Sequence, residues 1–502
     1  MTARPVLSDV GLAVAVVAGL ILTFAFAPFG QFWIAPLSYA ALIVAWRGAD
    51  PRRAFRLGFA FGVASFLGGV HWVYISIHDY GPAPVAFAAA VTVLLVTLLA
   101  VFPAIAGWVA ARWFTTDGPA AWLGVFPAVW TLVEWLRGWV FTGFGWLSAG
   151  YTQTDSWIMG FAPLGGLHFM GWAVLLTAGA IVMLVRGSAR QRAVAAVFAA
   201  SIWVVAWLIG STSWTEPLEE ELSVALVQGA VPQELKWEVE QFAPTLELYR
   251  GLTYESAGSE LIVWPEAAIP TLYGNVGEYL TEIQEWADRN GSEILLGILR
   301  ADPERSAVQN TIVALGESHS FYIKRHLVPY GEYFPVPGFV RNWLRLMSLP
   351  YNDARPGPAD QPPLQIAGQR IAASICYEDV FGAEQLHYLP DATLLVNVSN
   401  DAWFGDSIAP HQHLQIARVR AAEAGRFMLR ATNTGVSGII DTTGAVVATS
   451  PQFEPHVLRG VVRGYRGSTP YARWGNYAVI AACLLVLLAQ LSTTKFTMRP
   501  GT

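Results

Sequence analysis

Long stretches of this chain carry almost no charge, and that limits its fold more than any other feature. Residues 10–46, 54–77, 83–112, 119–140, 168–185 and 193–210 are nearly free of Asp, Glu, Lys and Arg, as is 475–491. The segment from about 215 to 470 has ordinary soluble composition. Only 14% of the chain is charged, against roughly 25% in an average soluble protein, and the deficit lies in those runs. A membrane-spanning helix needs about 20 apolar residues. The runs predict two short passes within 10–46, broken at "APFGQF", then passes near 54–76, 84–110, 119–140, 168–185 and 192–210. An eighth, near 474–491, follows the soluble segment.

Arginine placement supports that count, because loops on the cytoplasmic side collect positive charge. Arg4 precedes the first pass; Arg47, Arg52, Arg53 and Arg56 fall between the second and third. Arg112 falls between the fourth and fifth, Arg186, Arg190 and Arg192 between the sixth and seventh, and Lys495 and Arg499 after the eighth. The alternate loops, near 30, 78–82 and 141–166, are nearly bare of positive charge. An N-terminus inside and seven passes before the soluble segment fit this pattern, with the soluble segment outside. The first apolar run continues directly into more membrane helix, so it reads as an anchor rather than a cleaved leader. The expected domains are 1–211 in the membrane, 212–468 outside it, and 469–502 as the last helix and tail. A net charge of −6 without a long basic run argues against nucleic acid as a partner.

Within the membrane part, "VEWLRGWVFTGFGW" (133–146) sets Glu134 and Arg137 one helical turn apart in apolar surroundings. Ionisable residues at membrane depth pair or line a cavity. Two readings stand: an interfacial ion pair, or a lipid headgroup contact. His71 reads as a structural polar contact.

From about 222 the pattern changes to short apolar runs typical of buried strands: "ELSVALVQGAV", "ELIVWPEAA", "EILLGIL", "NTIVALG", "SFYIKRHLV", "RIAASICYE", "ATLLVNVSN", "FMLRATNTGVSGIID" and "AVVATS". Helical patterns at 238–257, 274–290, 380–388 and 410–425 alternate with some of them, which predicts a layered α/β domain. "FVRNWLRLM" (339–347) is amphipathic, with Phe339, Trp343, Leu346 and Met347 on one face and Arg341 and Arg345 on the other. It fits an interfacial helix or one packed on its own domain. With the Pro- and Gly-rich loop 348–363, it is expected to form a lid.

Three strand ends each deliver a reactive group. Glu266 follows "LIVWP", Lys324 ends "FYIK", and Cys376 ends "RIAASI". The chain has two cysteines, and the other, Cys483, lies in an apolar helix. It has three lysines, Lys236, Lys324 and Lys495, while arginine does nearly all other cationic work. A thiol needs a base to become a nucleophile. A glutamate can take that proton and return it to a leaving group. An ammonium and a backbone N–H, here that of Tyr377, can hold the oxyanion. Alone, a cysteine ending an apolar strand is more often packing; the three groups together point to acyl transfer.

The motifs "WPEAAIP", "KRHLVPYGEYFP" and "CYED" resemble the Glu–Lys–Cys signature of the nitrilase superfamily. "VQGAVPQELKW", "HLVPYGEYFP", "ICYEDVF" and "NVSNDAWFG" are most similar to the apolipoprotein N-acyltransferase family, as is "EWLRGWVFTGFGW", with Gly145 where proline is expected. The resemblance implies a polytopic α-helical membrane domain of eight passes joined to an α/β nitrilase-like α-β-β-α sandwich in the periplasm, in the bacterial inner membrane. It implies that Cys376 takes an acyl chain from a phospholipid as a thioester and passes it to the α-amine of a diacylated apolipoprotein. Glu266 would be general base and then acid, Lys324 the oxyanion stabiliser, and Glu332 a helper that orients or deprotonates. Trp237, Tyr377 and Glu378 would line the pocket. Asn397, Ser399, Asn400 and Asp401 read as loop-building residues near the site, and "HQH" (411–413) as a helix start rather than a metal site. No cofactor, no metal and a monomer are expected.

The membrane context suits such a donor. Each buried CH₂ is worth about 0.8 kcal/mol, so a chain of about sixteen carbons resists extraction by roughly 12 kcal/mol. A tethered amidase using water would need one anchor only. A transporter or receptor with a degenerate domain would not need the thiol at all.

Overall fold

The computed structural model describes residues 4–303, 307–316, 319–333 and 354–497. The expected amphipathic helix 339–347 and the first part of the loop 348–363 lie outside the described residues. The chain divides into two units. One comprises 1–213, 406–415 and 469–502, and the other 214–405 and 416–468.

The first unit is helical. Its main helices are α1 (Arg4–Leu22), α2 (Ile34–Trp46), α3 (Pro51–Val70), α4 (Val73–His78), α5 (Val85–Trp113), α6 (Phe126–Arg137), α7 (Ala162–Arg186) and α8 (Ala189–Gly210), with Tyr477–Thr497 near the end of the chain. The first apolar run is indeed two helices, parted at Thr23–Trp33. The 119–140 run is less regular than its composition predicts: a π-helical turn at Ala121–Val125 precedes α6. By length and apolarity, three segments suffice to cross a bilayer: Val85–Trp113, Trp157–Arg186 and Ala189–Gly210. Val10–Ala25, Ile34–Trp46 and Tyr477–Ser492 are shorter apolar helices. Large apolar side chains remain exposed along α5 and α8, among them Phe87, Val93, Leu98, Val197, Trp207 and Leu208. Water would disfavour such a surface and lipid would not.

Small residues let these helices approach closely, as in membrane packing generally. A Cβ on Gly58 would stand 2.4 Å from the Pro103 carbonyl oxygen, and one on Gly62 would stand 2.8 Å from Ala100 Cα. Cys483 packs against Ala128 and Val479 with no exposed surface, a structural place for the second thiol. Glu134 and Arg137 are both buried, 3.7 Å apart. Arg137 donates to the carbonyls of Phe144 and Trp146 and to Ser148 Oγ. Glu134 Oε1 accepts from the Ala149 amide at 3.0 Å and from Trp130 Nε1. The pair ties the segment 144–149 to α6.

The second unit holds two sheets. In the first, β13 (His456–Gly467), β1 (Thr215–Gln228), β2 (Leu261–Val263), β4 (Glu293–Ala301), β5 (Val308–Leu315) and β6 (Ser320–Ile323) lie in that order, with β3 (Ile269–Leu272) beside β4. The second runs β12 (Val446–Thr449), β11 (Gly438–Ile440), β10 (Met428–Thr432), β9 (Leu394–Ser399), β8 (Gln369–Ile375), β7 (Leu364–Ile366). The inner strands β1, β2 and β4 are parallel, as are β8, β9 and β10. Strands β2, β8, β9 and β10 and the second half of β1 are almost wholly buried, which explains their apolar runs. Helices α9 (Val239–Glu255) and α10 (Gly277–Arg289) cover the first sheet through Tyr249, Leu252, Leu280 and Ile283. The two sheets meet where Gly460 of β13 faces Ile439 of β11, too close for a side chain. The Gln228 side chain accepts from Ser437 and Ser450 across the same interface.

Strands β3, β7 and β13 go unpredicted by the apolar-run reading. β13 reads as "HVLRGVVRGYRG", and its arginines point outward along the sheet edge, where Arg463 and Arg466 pair with Glu221 and Glu216 of β1. The run "FMLRATNTGVSGIID" is two strands, β10 and β11, with a reversal between them.

Candidate active site

Each reactive group sits just past a strand. Glu266 lies three residues beyond β2, Lys324 follows β6 directly, and Cys376 follows β8 directly. The chain turns sharply at two of these places. Cys376 has φ 53° and Ala267, beside Glu266, has φ 44°. Left-handed backbone at non-glycine residues costs on the order of 1–3 kcal/mol and is held only where the surroundings fix it.

Glu266 and Lys324 are buried and form one cluster with the half-buried Glu332. The Lys324 ammonium stands 2.8 Å from Glu332 Oε1 and 3.5 Å from Glu266 Oε1. Asn310 of β5 donates from Nδ2 to Glu266 Oε1 at 2.7 Å and to Glu332 Oε1 at 3.3 Å. The Asn400 amide donates to Glu266 Oε2 at 2.8 Å, and the Val328 amide to Glu332 Oε2 at 2.7 Å. Both carboxylates are thus fixed in orientation. Lys236, also buried, donates from Nζ to the Glu266 backbone carbonyl at 3.3 Å.

Burial sets the protonation pattern. It pushes the Cys376 thiol well up; the Glu266 carboxylate pushes the same way, and Lys324 pulls it back in part. At neutral pH the sulfur therefore holds its proton until a base removes it. For Lys324, burial alone would lower the pKa, but Glu332, Glu266 and Cys376 outweigh it, and the net direction is up. Lys324 stays an ammonium. Lys236 has less compensation: burial lowers it to about 8, opposed only by Glu266. Cys376 keeps part of its surface accessible.

The remaining expected residues do different things. Glu378 is buried and fully engaged. It accepts from the Ile375 amide at 2.7 Å, the Arg325 amide at 2.8 Å, the His326 amide at 3.1 Å and the Tyr322 hydroxyl at 2.9 Å. It joins the end of β8 to the loop that follows Lys324. Tyr377 is partly exposed, its ring 5.1 Å from that of Phe381. Trp237 is 51% exposed, and among the described residues no hydrogen bond or ring contact brings it to the cluster. Beside it Leu235 and Val239 are also exposed, while Lys236 points inward. The segment His411–His413 lies in the helix Ala409–Ala424. Among the described residues no group of three or more His, Cys, Asp or Glu could hold a metal ion.

Sequence reasoning missed Asn310, Asn400 as a donor to Glu266, and Lys236. Asn310 had a faint signal, as a polar residue opening the apolar run "NTIVALG". Lys236 had rarity. A backbone amide such as that of Asn400 has none.

Comparison with known proteins agrees along both halves of the chain. Residues 18–180 match the model of the apolipoprotein N-acyltransferase N-terminal domain, and 223–471 match that of carbon-nitrogen hydrolases. An apolipoprotein N-acyltransferase of Methylococcus capsulatus is 43% identical over 94% of this chain and 94% of its own length. One of Chromobacterium violaceum is 41% identical over 96% of this chain and 93% of its own. A CN-hydrolase superfamily protein of Xanthomonas campestris aligns at 19% identity and TM-score 0.36, covering 54% of this chain and 97% of that one.

Proposed function

The chain belongs to the apolipoprotein N-acyltransferase family, and from that membership we propose that it moves an acyl chain from a phospholipid to the free α-amine of a diacylglyceryl-modified N-terminal cysteine. The reaction runs in two halves. Glu266 takes the Cys376 proton as the sulfur attacks the ester carbonyl, because burial leaves too little free thiolate for attack without a base. Lys324 and the Tyr377 amide receive the oxyanion. Glu266 returns the proton to the leaving lysophospholipid alkoxide, and a thioester remains. The lipoprotein amine then attacks that thioester, gives its proton to Glu266, and the sulfur leaves and is reprotonated.

The observation that carries this reading is the Glu266–Lys324–Glu332 cluster beside a strained Cys376 with an accessible face. Glu332 would hold Lys324 in place, and Tyr377 and Trp237 would line the entry. The eight-pass topology belongs to this reading, with 1–211 and 469–502 in the bacterial inner membrane and 212–468 in the periplasm, as does action as a monomer. Exposed apolar surface on α5 and α8 supports it.

The test uses the full chain in phospholipid vesicles with a labelled acyl donor. Label held on the chain as an amine-labile thioester, lost in Cys376→Ser and moved to a diacylated lipopeptide, is the expected result. Free fatty acid without transfer would favour the hydrolase.

A further inference from the structure

We propose that Arg430 is a positioning residue that holds the turn carrying the nucleophile and the loop anchoring the base at one fixed separation. Arg430 is the central residue of β10 and is fully buried. Its Nη1 donates to Asp379 Oδ2 at 3.2 Å and to Asn397 Oδ1; its Nη2 donates to Asp401 Oδ2 at 2.9 Å. Each acceptor leads to a reacting group. Asp379 lies in the turn Cys376–Val380. Asn397 donates from Nδ2 to the Cys376 carbonyl at 3.2 Å. Asp401 follows Asn400, whose amide holds Glu266, and it is braced by Ser399 Oγ at 2.8 Å.

The cluster is an expensive one. Two carboxylates and one guanidinium, all with no more than 1% exposure, have been taken out of water together. Apolar residues of similar volume would serve stability as well or better. What the guanidinium supplies instead is a rigid planar fork that reaches three acceptors at once, one on β9 and one on each of two loops; a lysine reaches them one at a time. Gly435 points the same way. A Cβ there would stand 2.5 Å from Asp401 Oδ2, so the backbone itself closes on that carboxylate. A displacement of about 1 Å between reacting groups costs roughly 10²-fold in rate, and this fork spans the link between them.

The inference rests on the acyl-transfer reading. Its test is single-turnover loading of Cys376, followed by intact mass, on the full chain mixed with vesicles of palmitoyl-oleoyl phosphatidylethanolamine and phosphatidylglycerol. Arg430→Lys is expected to slow loading by about 10- to 100-fold, with the final loaded fraction and the half-saturating lipid concentration unchanged. A purely structural role would lower the loaded fraction and leave the rate of the remainder intact; that result, or loading at the wild-type rate, overturns the proposal. Asp379→Asn and Asp401→Asn stand in should Arg430→Lys not fold. Each is expected to slow loading, and wild-type rates in both would likewise overturn it. Amide hydrogen exchange needs no lipid and so separates this inference from the acyl-transfer reading. Arg430→Lys should speed exchange at 376–381 and 399–402 and nowhere else, and unchanged exchange at both loops counts against it.

Discussion

Glu266 has two effects on Cys376 with opposite signs. In the proposed reaction it is the base that loading requires; as a nearby negative charge it helps keep the thiol protonated. The two can be separated. Glu266→Gln should abolish acyl loading while moving the pH midpoint of iodoacetamide alkylation at Cys376 downward. An upward shift would contradict the assigned electrostatics. Lys324→Arg should also fail to load, because a planar fork does not replace a point ammonium 2.8 Å from Glu332. Lys236 gives a pH signature. Its ammonium is held near 8 in the folded chain and is near 10.4 when unfolded. Between those values the unfolded chain binds more protons, so this group's contribution to stability improves as pH rises. Below that window both states are charged and the burial cost is felt in full. The melting-temperature difference between Lys236→Met and wild type should therefore fall from pH 8 to about pH 10.5; a constant difference would refute the assignment. Rarity made Cys376 and Lys324 visible in the sequence. Asn310 and Asn400 were hidden, because their roles depend on strands brought together from distant parts of the chain.

Elements were legible where burial is one-sided or complete. β8 and β9 announced themselves as unbroken apolar runs because neighbours cover both faces. β13 stayed silent because an edge strand can carry arginines outward and still pair along its length with β1. The short turn at Cys376 depends on Glu378, which binds three backbone amides around it. Glu378→Gln keeps the size but replaces an acceptor oxygen with a donor. It should lower the loading rate by about 10-fold or more without changing which lipid is used. Wild-type loading would show that the tie is dispensable. In the helical unit, Gly62→Val should force α3 and α5 apart, since even a Cβ stands 2.8 Å from Ala100 Cα. Overpacking of this kind costs about 1–3 kcal/mol, to be read as a lower melting temperature in detergent, and an unchanged value would mean the helices can separate freely.

At the scale of the whole molecule, the charge-free runs and the alternating soluble strands were enough to separate a helical region from an α/β region. They did not foresee that 406–415 groups with the helical unit, since nothing in "DSIAPHQHLQ" departs from soluble composition. Nor could composition foresee that Glu134 and Arg137 would spend their hydrogen bonds on the chain's own backbone. Joining a thiol chemistry to an apolar helical bundle makes sense if the acyl donor never leaves the bilayer. The most direct test of that claim is the intact mass of the full chain after incubation with phospholipid vesicles. The account predicts one added acyl chain on Cys376, discharged by an amine and absent in Cys376→Ser. An unmodified chain that nonetheless acylates a lipopeptide, or an adduct that persists in Cys376→Ser, would contradict it.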